Sequence, residues 1–423
     1  MNAILNSAFP VWAIAAVTTL GVITRPFRLP EAIWAVLGAL LLCVCGQLSW
    51  LEALHAIGKG TDVYLFLTGM MLASELARKE GLFDYLAVLA ARKADGSPTR
   101  LFFLLYCVGT VVTILMSNDA TAVVLTPAVL AVVRAVRAES PVPYLYACAF
   151  VANAASFVLP ISNPANLVIF GEHMPTLGQW LARFALPSAL SIVFTYVALR
   201  FLLRAGLVHD IEKEADVPDL SAAGRATGWG ITMMAAVMLA ASAFGVSLGW
   251  PTFAAGVVIF LGVSMQKRRF LWSCLAEISW SVLPLVAGLF VLVECLQRTG
   301  AIDSLARAVG ILSLHSVRYA SALSGMTVAL ASNVINNLPA GLIAGYTTAA
   351  AHVPSQVLNA VLIGIDLGPN LSVTGSLATI LWLQALRRER IEVRGLQFLM
   401  LGLVVMPPAL IAALAALALA GTA

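Results

Sequence analysis

The sequence predicts an all-α polytopic membrane protein made of two inverted-topology repeats, each with five spans, one re-entrant helical hairpin and one broken helix. Three observations predict this fold. Of the 423 residues 61% are apolar and 11% charged, with a mean hydropathy of +0.93, whereas about a quarter of an ordinary globular domain is charged. The apolar residues fall in blocks long enough for the roughly 20 residues that a bilayer helix needs. Landmarks of the first half also recur in the second. Gly69, Glu75, Lys79, Gly81, Asp84, Leu86 and Ala87 fall, 219 positions on, at Gly288, Glu294, Arg298, Gly300, Asp303, Leu305 and Ala306. The composition excludes a soluble enzyme, a disordered chain and a disulfide scaffold.

Apolar runs bounded by charge or proline give ten spans, near residues 8–24, 31–50, 61–77, 144–171, 184–203, 229–247, 251–266, 279–297, 353–386 and 396–420. Two further stretches, 101–137 and 316–350, are each interrupted at the middle by a Ser/Asn cluster and read as helical hairpins. The first repeat then covers residues 1–204, a polar linker residues 205–228, and the second repeat residues 229–423. An odd number of spans in each half turns the second repeat over relative to the first. The linker carries His209, Asp210, Glu212, Lys213, Glu214, Asp216 and Asp219 and reads as a solvated charge run, with a docking surface for a soluble partner as the less common alternative. No cleavable leader is expected, since Met1 to Pro10 lacks a basic start.

Placing the connections on alternate sides gathers all but Lys59, Arg183, Arg298, Arg307 and Arg318 of the 25 Lys and Arg on one face. The positive-inside rule makes that face cytoplasmic and both termini periplasmic. A hairpin has the same parity as two complete spans, so charge alone fits ten spans or twelve. The net charge of +4 is too small to call for a nucleic-acid partner. The six cysteines lack metal-ligand spacing, and no metal site or cofactor is expected.

Four polar interruptions carry the chemistry. They are Ser117-Asn118-Asp119, Ser162-Asn163-Pro164-Ala165-Asn166, Ser332-Asn333-Val334-Ile335-Asn336-Asn337, and the run from Gly368 to Ser376 that contains Asn370, Ser372 and Thr374. Pro and Gly break a helix outright, and lipid cannot satisfy the freed backbone groups, so such segments must line a cavity or be buried in protein. Ser or Asn ahead of a new helical run is also a good N-cap, which aims the partial positive end of a half-helix into the same space. Each such residue alone reads most simply as helix-helix glue; four clusters paired across a repeat read as a neutral, hydrogen-bonding site. Ser117, Asn118, Asn163, Asn166, Ser332, Asn333, Asn336, Asn337, Asn370, Ser372, Thr374 and Ser376 are its candidate substrate-binding residues. A carboxyl taken out of water holds a proton more readily, so Asp119 and Asp366 are the candidate proton carriers. Glu75 and Glu294, beside Lys79 and Arg298, read as ion-pairing residues. All five His lie at span ends or in loops, no embedded Ser has a recognisable base, and no glycine-rich phosphate loop occurs, so neither catalysis nor ATP hydrolysis is expected.

At Ser332-Asn333-Val334-Ile335-Asn336-Asn337-Leu338-Pro339, at Gly364-Ile365-Asp366-Leu367-Gly368-Pro369-Asn370 and at Gly375-Ser376-Leu377-Ala378-Thr379-Ile380-Leu381-Trp382, the chain resembles the arsenite efflux permeases. These are the membrane subunits of bacterial arsenical pumps, within the ion transporter superfamily. Asn118-Asp119 with Leu125-Thr126-Pro127 carries the likeness in the first half. The resemblance implies export of arsenite and antimonite across the bacterial inner membrane, either in exchange for protons or coupled to a soluble arsenite-stimulated ATPase subunit, with membrane lipid as the surrounding partner. Arsenite at neutral pH is mostly an uncharged trihydroxide that amide, hydroxyl and carbonyl groups can hold. The scarcity of basic residues in the breaks argues against di- and tricarboxylates. A sodium-coupled transporter of the same superfamily, and a pore subunit energised only by an ATPase, are the alternatives.

Overall fold

The computed structural model describes residues 2–213, 220–264 and 268–420, which contain helices and connections but no strand. The linker residues Glu214, Asp216 and Asp219, and Lys267 of the basic face, lie outside the described residues. The first half runs α1 (Asn2–Thr24), α2 (Glu31–Val44), α3 (Trp50–Gly58), α4 (Thr61–Lys79), α5 (Leu82–Ala94) and α6 (Pro98–Leu115). A tip at Met116 and Ser117 then restarts the chain as α7 (Asn118–Ala120), which widens into a π-helical turn (Thr121–Leu125) and continues as α8 (Thr126–Ala135). There follow α9 (Val142–Ala154), a break, α10 (Pro164–Phe170) and α11 (Leu177–Leu202). The second half repeats that order: α12 (Ala222–Ala243), α13 (Gly249–Ser264), α14 (Arg268–Glu277), α15 (Val282–Arg298), α16 (Ala301–His315), α17 (Val317–Ile335), α18 (Asn337–Ala350), α19 (Ser355–Leu367), a break, α20 (Leu377–Arg388) and α21 (Gly395–Ala420).

Three segments differ from the expected elements. The run 31–50 is not one helix: α2 stops at Val44, and Ser49 starts α3 with a reciprocal cap in which Ser49 and Glu52 bond each other's backbone amides. Residues 82–94 and 301–315, expected as connections, are the helices α5 and α16. Each begins after a glycine with positive φ, Gly81 at 72° and Gly300 at 76°, a conformation that costs glycine nothing. The axes of α15 and α16 meet at 74°. Among the described residues, the helical segments at least 18 residues long and apolar enough to cross a membrane are Pro98–Leu115, Asn118–Ala135, Leu177–Leu202, Ala222–Ala243 and Gly395–Leu419.

The halves pack through matching pairs. α4 lies against α13 and α15 against α2, while α11 lies against α21. Small residues set these distances, since without a hydrophobic drive between helices close backbone approach supplies the attraction. A Cβ on Gly69 would collide with the Thr252 carbonyl, and one on Gly288 would stand 2.7 Å from the Ala35 backbone. Ion pairs repeat the crossing: Lys79 at the end of α4 meets Glu277 of α14 at 2.8 Å, and Arg298 at the end of α15 meets Glu52 of α3 at 2.8 Å. The expected partners of Glu75 and Glu294 are thereby corrected. Glu75 pairs with Arg78 at 2.5 Å and Glu294 with Lys59 at 2.7 Å, because Lys79 and Arg298 reach across to the other half.

At the centre α9 is buried from Pro143 to Ala154 and α19 from Asn359 to Leu367. A helix apolar all round belongs in such a position. The described part of the linker is tied down, with the Ile211 amide donating to Gly96 O at 3.0 Å, the Glu212 amide to Val136 O at 2.9 Å, and Arg137 pairing with Glu212 at 2.8 Å.

Candidate functional site

A cavity of about 480 Å³ lies between the halves. Its first-half wall is α4 with Phe66, Met70, Ser74, Glu75 and Arg78, together with Ser117, Asp119, Val123 and Pro127 of the first hairpin and Pro164 of α10. Its second-half wall is Glu277, Ser279 and Val282 at the α14–α15 turn and Leu381, Gln384, Arg388 and Glu389 of α20 and its C-cap. Charge is concentrated at one end, among Glu75, Arg78, Glu277, Arg388 and Glu389, where Arg78 also pairs with Glu277 and where Arg134 pairs with Glu389 at 2.8 Å. The hydrogen bonds of Lys79, then those of Arg78, outweigh burial and hold the Glu277 carboxyl below the usual carboxylate range. The polar groups contributed by the tip and the first break are Ser117 and Asp119, with Pro164 as an apolar neighbour.

The first tip is sparsely bonded. Ser117 caps α7 by accepting from the Ala120 amide at 3.2 Å, while buried Asn118 has an Oδ1 without a hydrogen-bond partner. The neighbouring π turn sets Thr121 beside Thr113 at 2.8 Å. Asp119 faces the cavity.

The first break is a tightly bonded segment. Pro160 and Pro164 remove amides, and Asn166 Nδ2 serves the freed carbonyls of Ser156, Leu159 and Pro160 at 3.1, 3.4 and 3.3 Å. Ser162 Oγ donates to Ile114 O at 3.1 Å. Asn163 caps α10 by accepting from the Ala165 amide at 3.0 Å, and its Nδ2 donates to Asp366 Oδ1 at 2.7 Å. Asp366 is 1% exposed and its Oδ2 has no hydrogen-bond partner among the described residues. Asp366 is thus one hydrogen bond from Asn163, which adjoins the cavity-lining Pro164.

The second tip and second break bond each other, away from the cavity. Asn333 Nδ2 donates to Ala329 O at 2.7 Å and Gly368 O at 3.0 Å, and its Oδ1 accepts from Ser372 at 2.7 Å. Thr374 Oγ1 donates to Asn333 O at 2.8 Å, and Asn336 Nδ2 to Thr374 O at 3.3 Å. Asn336 has φ 72° and caps α18 through the Leu338 amide. Ser332 Oγ donates to Ala329 O at 2.9 Å, and Asn337 is buried in the first turn of α18. Asn370 Nδ2 donates to Phe150 O at 3.1 Å, and Ser376 caps α20 through the Thr379 amide at 3.2 Å.

Sequence reasoning missed Asn153, Ser74 and Gln384. Asn153 is fully buried in α9 and bonds Asn370, Thr379 and Ser376 of the other half. It is the one amide inside the apolar run from Val142 to Ala155, which was the available signal. Ser74 and Gln384 line the cavity from α4 and α20 and carry no motif.

An apolar chain whose described residues form helices and connections, with two interrupted helices buried at its centre and a cavity between the halves, has the build of a membrane transporter. A solved structure with the same fold is that of the Alcanivorax borkumensis YdaH transporter, which is 15% identical, covers 87% of this chain and 86% of its own, and superposes with a TM-score of 0.56. The chain belongs to the CitMHS family, described as Citrate transporter, whose pattern matches residues 15–365. Among its relatives are the arsenical pump membrane protein of Escherichia coli K12, 25% identical over 96% of this chain and 97% of that protein, and the arsenical pump membrane protein of Yersinia enterocolitica, 27% identical over 83% and 84%.

Proposed function

We propose that this transporter exports trivalent arsenic and antimony, as arsenite and antimonite, across the bacterial inner membrane in exchange for protons by alternating access. The observation that carries the reading is the cavity between the halves, which starts at the charged end with Arg78 and Arg388 and contains Ser117 and Asp119. The positive-inside rule assigns that end to the cytoplasm and both termini to the periplasm, so a cytoplasmic solute enters along the cavity toward the first tip. A carboxyl and a hydroxyl there suit an uncharged trihydroxide, and the arginines of the cavity wall, Arg78 and Arg388, stand among the carboxylates Glu75, Glu277 and Glu389. The relatives named arsenical pump membrane proteins support arsenic as the substrate.

In this reading residues 1–204 and 229–423 are oppositely oriented repeats joined by the linker 205–228, and each hairpin with its broken helix moves against the scaffold of α4, α13, α2 and α15. Asp119 takes the proton in the cavity, and Asp366 takes it at the Asn163 tie. The residues of the second tip and break, from Ser332 to Asn337 and from Asn370 to Ser376, line the pathway in the alternate state. Uptake of arsenite into everted membrane vesicles tests the proposal. Accumulation should follow an imposed pH gradient, without added Na⁺ and without an ATPase subunit. Accumulation that follows Na⁺ and ignores pH overturns the proton coupling, and citrate uptake without arsenite uptake overturns the substrate.

A further inference from the structure

The two breaks are wired to each other by a pair of crossed hydrogen bonds with identical registers. Asn153 is the twelfth residue of the 13-residue α9, and Asp366 is the twelfth of the 13-residue α19. Ten positions after each stands the N-cap of the short helix beyond the break, Asn163 for α10 and Ser376 for α20. Each cap reaches into the other half. Asn163 Nδ2 donates to Asp366 Oδ1 at 2.7 Å, and Ser376 Oγ donates to Asn153 Oδ1 at 3.3 Å. One shift of 213 positions therefore carries Asn153 onto Asp366 and Asn163 onto Ser376.

The ties differ in chemistry. Asn153 Nδ2 also donates to Asn370 Oδ1 at 3.1 Å and Thr379 Oγ1 at 3.4 Å, so both ends of the amide are engaged, and an amide keeps its donors and acceptors at every pH. Asp366 has a buried oxygen without a hydrogen-bond partner, and protonation turns a charge-assisted bond into a weaker neutral one. Among the described residues no charged side chain faces it. α9, α10, α18 and α21 contain no Asp, Glu, Lys, Arg or His, and their only titratable side chains are Tyr144, Tyr146, Cys148 and Tyr346. On α17 Tyr319 and Arg318 lie in the first turn, Arg318 about 10 Å along the axis from Gly325 at 1.5 Å per residue, and Gly325 is where α19 packs at Gly364.

We infer that Asn153 is a positioning residue and the silent twin of Asp366: it fixes the α20 cap at every pH, so that one of the two crossings, the one through Asp366 and Asn163, answers to protons. The inference rests on the proton-exchange reading and concerns the second of its two proton-carrying positions, the one at the Asn163 tie. The decisive variants are Asp366→Asn, Asn153→Asp and the two combined, assayed for arsenite uptake into everted vesicles under an imposed pH gradient. Asp366→Asn should lower gradient-driven uptake by about tenfold, and the combined variant should return it to within about threefold of wild type, because the carboxyl has moved to the equivalent position. A combined variant that is present at wild-type level yet behaves as Asp366→Asn overturns the twin relation and leaves proton exchange standing. Full gradient-driven uptake by Asp366→Asn overturns the inference together with the role of Asp366 in proton exchange. A second measurement does not need transport. The fall in thermal midpoint caused by Asn153→Ala should be equal at about pH 6 and about pH 8, while that caused by Asp366→Asn should differ between them; a pH-dependent penalty for Asn153→Ala overturns the inference.

Discussion

The two tips carry matching Ser-Asn pairs, Ser117-Asn118 and Ser332-Asn333, and lie in opposite states. Around Ser117 to Asp119 the tip borders a cavity, and Asn118 has an oxygen without a partner. Around Ser332 to Asn337 the tip is knotted to its own break through Asn333, Asn336, Ser372 and Thr374. Equivalent sequence thus supports an open and a closed arrangement, and the hydrogen-bond inventory decides which. A tip whose amides are spent on freed carbonyls is structural in this conformation; one with spare polar atoms is available to a solute.

The largest expected effect breaks the comparison at the open tip. Asp119→Asn should cut proton-driven arsenite uptake by about a hundredfold, equivalent to ~3 kcal/mol of coupling, with little change in thermal midpoint; unchanged pH dependence of uptake in a well-expressed variant removes Asp119 from the mechanism. Next, Asn333→Ala at the closed tip should cost about 2 kcal/mol, since its amide serves two backbone carbonyls and a hydroxyl, whereas Asn118→Ala should cost under about 1 kcal/mol. Equal losses in thermal or denaturant unfolding would erase the distinction between the tips. Gly69→Ala should destabilise by about 1–3 kcal/mol through overpacking on Thr252, while Gly178→Ala in α11, with open space around it, should be neutral or stabilising by a few tenths of a kcal/mol. The smallest effect concerns α3. Its capping partner Glu52 is held at about 2, chiefly by hydrogen bonds from the Ser49 side chain and backbone. With the folded value below the ordinary one, that support is complete above about pH 4.5 and lost as pH falls through about 2. Glu52→Gln should speed amide exchange over residues 50–58 and, through the lost pair with Arg298, at the end of α15, and leave the rest of the protein unchanged.

Much of this architecture was legible because its causes are local. Pro160, Pro164 and Pro369 forbid continuous helix, and Ser117, Asn163, Asn336 and Ser376 cap the helices that restart. Gly69 and Gly288, which the 219-position shift aligns, both sit in close helix contacts. What escaped depends on tertiary pairing. The helices α5 and α16 carry charges and have modest apolar content, and they are held by packing against α6, α8, α17 and α18, which hydropathy does not register. Lys79 and Arg298 stand four positions after Glu75 and Glu294, about one helical turn, which suggests those pairings, but their partners are Glu277 and Glu52 of the other half. Asn153 escaped because its three partners lie more than 200 positions away.

The central claim is that the solute sits at the open tip between the halves. Anomalous scattering at the arsenic edge from crystals of the protein bound to arsenite locates the metalloid directly. The account predicts an arsenic peak in the cavity beside Ser117 and Asp119, within reach of oxygen and amide groups. A peak at a cysteine, or outside the space between α4, α10 and α20, contradicts it.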